Sequence, residues 1–110
     1  MKDLERVPEI RGKTIRFIWT DGPTKGKTHE HVFHPDGTVT WSDAEAAKAE
    51  TKEKPQYAAT RAADQVYLVS YLAPSGYTLT VALNFRDKQL VGFVSSAKDW
   101  HPVRGTFQVR

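Results

Sequence analysis

Cysteine is absent from the 110 residues and methionine occurs once. Disulfides, thiolate metal sites and a cysteine nucleophile are thereby excluded. The absence also fits a reducing compartment. No apolar run approaches the roughly 20 residues that a bilayer span requires. Met1 to Arg11 carries Lys2, Asp3, Glu5, Arg6 and Glu9 and lacks an apolar h-region. No signal peptide and no membrane association are expected, and the protein is read as cytoplasmic. There is no G-x-S-x-G, no H-E-x-x-H and no dinucleotide fingerprint. "DGPTKGKT" contains Gly, Lys and Thr, but has neither the phosphate-loop spacing nor a helix after it. A strong excess of one charge is missing too. The 16 basic and 13 acidic residues leave a formal net charge of +3, and the pI is about 9.3. The charges are interspersed and no nucleic-acid motif accompanies them, so no nucleic-acid partner is expected.

What remains is a chain with 39% hydrophobic and 26% charged residues, the balance of a globular domain. Its length fits one domain spanning residues 1–110.

The dominant pattern has period two. In "KTIRFIWT", Ile15, Phe17 and Trp19 share one strand face, with Thr14, Arg16, Ile18 and Thr20 on the other. "DGPTKGK" turns the chain. "THEHVFH" then sets His29, His31 and Phe33 against Glu30, Val32 and His34. "HPDG" is a compact turn, and "TVTW" returns as a third strand ending at Trp41.

Residues 42–56 break the alternation. "SDAEAAKAETKEKPQ" is rich in Ala, Glu and Lys, and Ser42 or Asp43 could cap a short helix. A short helix or a solvated loop is expected for this charged insertion.

Alternation resumes with "YAATRAA" and strengthens in "QVYLVSYLA", where Tyr67, Val69, Tyr71 and Ala73 align. "YTLTVALNF" aligns Tyr77, Leu79, Val81, Leu83 and Phe85. "QLVGFVSS" and "VRGTFQVR" follow, the last with Val103, Gly105, Phe107 and Val109 inward. About eight short strands joined by tight turns predict an all-β, antiparallel up-and-down barrel. Eight strands enclose room for side chains or one small ligand. Phe17, Phe33, Phe85, Phe93 and Phe107 are expected in the core, and Trp100 in "KDWHP" is expected to close one end.

Two stretches together, "GKTIRFIWTDGPTKGKTHEHVFHPDGTVTW" and "VYLVSYLAPSGYTLTVALNFRDKQLVGFVSSAKDW", resemble the MoaF-like family. The resemblance runs from about Gly12 to the C-terminus and skips the charged insertion. It implies a lipocalin-like (calycin) barrel. It also implies a pocket for a small molecule, without defining a reaction.

A more distant similarity is to phenolic acid decarboxylases, which are also calycin barrels. Their G-K-x-x-x-Y-x-Y-x-x-G strand reads here from Gly12-Lys13 through Phe17 and Trp19 to Gly22. Their V-Y-x-V-S-W-x-E-P-x-G segment reads from Val66 to Gly76, with Tyr71 at the tryptophan and Ala73 at the acid. The phenols that would hold a carboxylate and the acid that would move a proton are all replaced, so that decarboxylation is not expected. The same positions place a pocket on the face carrying Phe17, Trp19, His29, Tyr71 and Ala73.

His29 and His31 are the sharpest local feature, because residues two apart on a strand point the same way. They are the candidate acid/base pair, or the groups that orient a polar ligand. A metal site would need a third ligand. His34 lies on the opposite face by parity, and His101 stands near the last turn, where it could approach the barrel mouth. No metal and no cofactor are expected. Tyr67, Tyr71 and Tyr77 could line a pocket and donate hydroxyl hydrogen bonds into it, or simply fill a core. Arg61 shares a face with Tyr57 and Ala59. It would pair with a ligand carboxylate or phosphate if that face is inward, and be solvated if it is not. The ligand-binding candidates are therefore Phe17, Trp19, His29, His31, Phe33, Tyr57, Arg61, Tyr67, Tyr71 and Ala73. Three roles remain open: a barrel binding a small aromatic or apolar molecule, an enzyme built on His29 and His31, and a structural or regulatory subunit. A homodimer is a further expectation.

Overall fold

The computed structural model describes residues 7–43 and 54–110. Those residues form one eight-stranded antiparallel sheet and no helix. The strands are β1 (Thr14–Asp21), β2 (Thr28–Phe33), β3 (Val39–Asp43), β4 (Tyr57–Ala63), β5 (Val66–Leu72), β6 (Thr78–Asn84), β7 (Gln89–Ser95) and β8 (Trp100–Val109). Their order in the sheet is β3-β2-β1-β8-β7-β6-β5-β4. This is an up-and-down meander in which β1 and β8, the ends of the chain, lie side by side. The curl brings the edge strands together at a Thr38–Gln56 bridge. Val39 N–H donates to the Pro55 carbonyl and Tyr57 N–H to that of Gly37 there. The expected small barrel is the observed fold.

Alternation decides which side chains fill it. Ile15, Phe17 and Trp19 on β1 are buried, while Thr14, Arg16 and Ile18 are half-buried and Thr20 is exposed. Tyr67, Val69 and Tyr71 on β5, Val81 and Leu83 on β6, and Val103 and Phe107 on β8 complete the interior. Two inward positions must be glycine. A Cβ on Gly92 would overlap the Thr80 carbonyl oxygen of β6, and one on Gly105 would overlap that of Ile18 on β1. At these two points the sheet bends so tightly that no side chain fits.

Several expectations are corrected. Ser42 and Asp43 lie in a strand. They extend β3, opposite Glu30 and His29 of β2, and Asp43 pairs with Lys27 at 3.7 Å. Residues 44–53 of the anticipated insertion lie outside the described residues. Phe93 is 53% exposed on the outer face of β7, and Trp100 is 70% exposed. Trp100 therefore closes nothing. Val109 emerges at the barrel end and is exposed as well. The residues that fill the end opposite the pocket are Val7 and Ile10, in a turn before β1 that is tied by Gly12 N–H to the Phe33 carbonyl.

Candidate ligand pocket

At the other end the barrel is hollow. A cavity of about 440 Å³ opens there, within the range of small-molecule sites. The second half of β1 contributes Trp19, β2 contributes His29 and His31, and β3 contributes Trp41. Tyr71 and Ala73 come from the end of β5 and the residue after it. Leu79, Val94 and Val103 form an aliphatic wall from β6, β7 and β8. Tyr77, His101 and the loop residues Pro23, Thr24 and Ser75 form the rim. Among the described residues the lining contains no Asp, Glu, Lys or Arg.

The histidines differ in environment. His31 is 1% exposed. Its ring packs on Phe17 at 4.2 Å between centroids and stacks with Phe33 and Trp41. Its Nε2 is 2.7 Å from the Tyr71 hydroxyl, while Nδ1 has no hydrogen-bond partner. The His29 backbone slightly favours the charged form without reaching Nδ1 in hydrogen-bond geometry. Burial first, and then His29, push its pKa down to about 3. Burial pushes the Tyr71 hydroxyl pKa up. Both groups are therefore neutral across the physiological range.

His29 accepts a hydrogen bond at Nδ1 from the Trp19 indole, at 2.8 Å. An indole nitrogen can only donate, so this bond fixes the tautomer: the proton of the neutral ring sits on Nε2. Burial holds its pKa below the ordinary value, with Asp43 opposing and Lys27 reinforcing that effect. At the rim, His101 lies 3.4 Å from Asp99, which also receives hydrogen bonds from Ser96 and the Tyr77 hydroxyl. His34 bonds Thr40 instead of joining the pocket. Among the described residues no three His, Asp or Glu side chains are grouped as a metal site would need.

A sequence model of the MoaF N-terminal domain matches residues 2–99. The chain belongs to the MoaF N-terminal domain family. No curated protein matches this MoaF domain in sequence. A crystal structure from Burkholderia vietnamiensis, described as a "putative beta-lactamase", superposes with a TM-score of 0.75 at 17% identity. The match covers 94% of this chain and 97% of that one, and at this identity it establishes the shared fold.

Of the candidate residues, the pocket unites Trp19, His29, His31, Tyr71 and Ala73. Phe17, Phe33 and Tyr57 face inward but pack beneath it: Tyr57 stands edge-on to Phe33 at 5.0 Å. Tyr67 lies near the opposite end, where burial and the adjacent Glu9 raise its pKa. Arg61 is solvent-exposed and pairs with Asp64 at 3.3 Å, so it supplies no charge to the cavity. The sequence reading missed Trp41, Leu79, Val94 and Val103, and left Tyr77 a general candidate. Parity placed Val103 inward and aligned Leu79 with Tyr77, but it assigned no face to Trp41, and the core position expected for Phe93 turned Val94 outward. For Leu79 and Val103, height along the barrel was the missing quantity.

Proposed function

We propose that this domain binds a small, largely aromatic or apolar molecule at the open end of a calycin-type barrel. The carrying observation is the cavity itself, about 440 Å³, walled by Trp19, Trp41 and Tyr71 on one side and by aliphatic side chains on the other. Trp41 and Tyr71 stack at 4.8 Å, which leaves a flat aromatic surface against which a planar ligand packs.

Catalysis by the histidines has less support. A general base works best with a pKa near the operating pH, and His31 at about 3 is far below it. Chemistry of the kind that the structural neighbour's description suggests also lacks its parts here. Ser75 lines the pocket but is followed by Gly-Tyr-Thr, without the lysine of an S-x-x-K motif.

The test is titration with N-phenyl-1-naphthylamine, a neutral probe whose emission rises in apolar surroundings. Saturable binding is expected. It should be lost when the cavity is filled by Ala73→Phe or Leu79→Trp in variants that keep the parent's circular dichroism. Equal binding by folded, filled variants would place the probe elsewhere and defeat the proposal.

A further inference from the structure

The pocket has a directional polar contact built into an otherwise uncharged wall. Trp19 donates to His29 Nδ1 at 2.8 Å, so the opposite nitrogen, Nε2, must carry the proton. Among the described residues nothing accepts from that N–H, and His29 lines the cavity. His29 is thus a donor held in place by a second side chain. Deeper in, the Tyr71 hydroxyl and His31 occupy each other, and His31 Nδ1 is buried without a partner.

Charge is the second constraint. Among the described residues the lining has no cationic side chain, and Arg61, which shares a strand face with the buried Tyr57 and Ala59, pairs with Asp64 outside. Burial lowers the His29 pKa from its ordinary value and so disfavours the imidazolium that would serve as a counter-ion. A carboxylate entering this cavity would shed its water for a single neutral donor, His29 Nε2–H, with no cationic partner among the described residues.

We infer that the ligand is uncharged, with a planar aromatic body and a hydrogen-bond acceptor such as a carbonyl oxygen or ring nitrogen that meets His29 Nε2–H. This rests on the small-molecule reading of the same cavity. The aromatic body packs against Trp41 and Tyr71, and the acceptor sets its orientation. Specificity comes from the donor: a molecule lacking the acceptor leaves the N–H unpaired, and one bearing a carboxylate is rejected by desolvation.

Three probes with one ring system separate these terms: 2-acetylnaphthalene, 2-ethylnaphthalene and 2-naphthoate. Affinities come from calorimetry and the site from backbone amide shifts in the ¹⁵N spectrum. The ketone is expected to bind about tenfold more tightly than the hydrocarbon, the ratio that one hydrogen bond supplies, and the naphthoate more weakly than both. In His29→Phe the ketone should lose its advantage while the hydrocarbon still binds. Imidazole ¹⁵N shifts of the parent protein should report a protonated Nε2 and an unprotonated Nδ1 on His29. Naphthoate binding in the cavity as tightly as the ketone would overturn the inference and leave the binding pocket standing. So would a ketone preference that survives in His29→Phe. Failure of all three probes to shift pocket amides would instead defeat the small-molecule reading itself.

Discussion

Removing one oxygen atom from Tyr71 tests how the barrel is held together. Among the described residues the Tyr71 hydroxyl is the only side chain hydrogen-bonded to the His31 ring, which is fully buried and whose Nδ1 is already unpaired. A neutral imidazole always carries one N–H and one bare nitrogen. In Tyr71→Phe both would be buried without partners. Leaving a buried polar group unsatisfied costs about 1–3 kcal/mol, whereas the lost oxygen leaves little void. For a domain of this size that corresponds to a melting temperature lower by roughly 4–12 °C. The assay is thermal unfolding near neutral pH by circular dichroism, with Tyr71→Phe/His31→Leu as the control. Replacing both partners by apolar groups removes the desolvation penalty, so the double variant should recover most of the loss. A Tyr71→Phe protein that melts with the parent would refute this reasoning. It would mean that His31 finds another partner or that the pair contributes nothing.

Acid should destabilise the domain through the same histidine. Its pKa is about 3 when folded, against 6.5 for an unperturbed histidine, so between those values the unfolded chain binds the extra proton. Stability is unaffected by His31 well above pH 6.5 and falls as the pH drops through that window. The loss reaches about 2 kcal/mol near pH 5, and His29 adds to it in the same direction; urea midpoints against pH measure it, and His31→Leu should flatten the curve. Trp19→Phe removes a hydrogen bond made only to neutral His29, so the His29 pKa should rise in an NMR titration. Gly92→Ala and Gly105→Ala force a methyl into backbone carbonyls of the neighbouring strands. Each should cost roughly 3 kcal/mol or more, read as a lower denaturant midpoint, while Gly26→Ala, with open space around it but a φ of +89°, should cost only the backbone strain of about 1–2 kcal/mol.

Strand identity was legible because alternation needs only the chain itself: Ile15-Phe17-Trp19 and Tyr67-Val69-Tyr71 read the same in sequence and in space. Half of the site was legible for the same reason. Parity says which side of the sheet a residue faces, but not how far along the barrel it sits. Height depends on the stagger between strands, which only the closed sheet fixes. Hence Phe17, Phe33 and Tyr67 were placed on the right face at the wrong level, and Leu79 and Val103 went unrecognised as lining. Arg61 follows the inward parity yet lies where the barrel ends, beside a register shift in β4, and so reaches solvent. Val7 and Ile10 had no signal to find: two apolar residues in one turn establish no period.

The edges of the sheet meet at β3 and β4, and the join differs from every other strand boundary. Elsewhere a continuous ladder stitches neighbours together. Here, among the described residues, the backbone meets at the Thr38–Gln56 bridge alone, and aromatic pairs span the gap: Phe33 with Tyr57, Trp41 with Tyr71, His31 with Tyr71. The cylinder is buttoned rather than woven shut, and its buttons are the inner walls of the pocket. A guest resting on Trp41 and Tyr71 would fasten the same edges. Occupancy and closure of the seam would then rise and fall together, and slowed amide exchange in β3 and β4 would report a filled pocket from the backbone outside it.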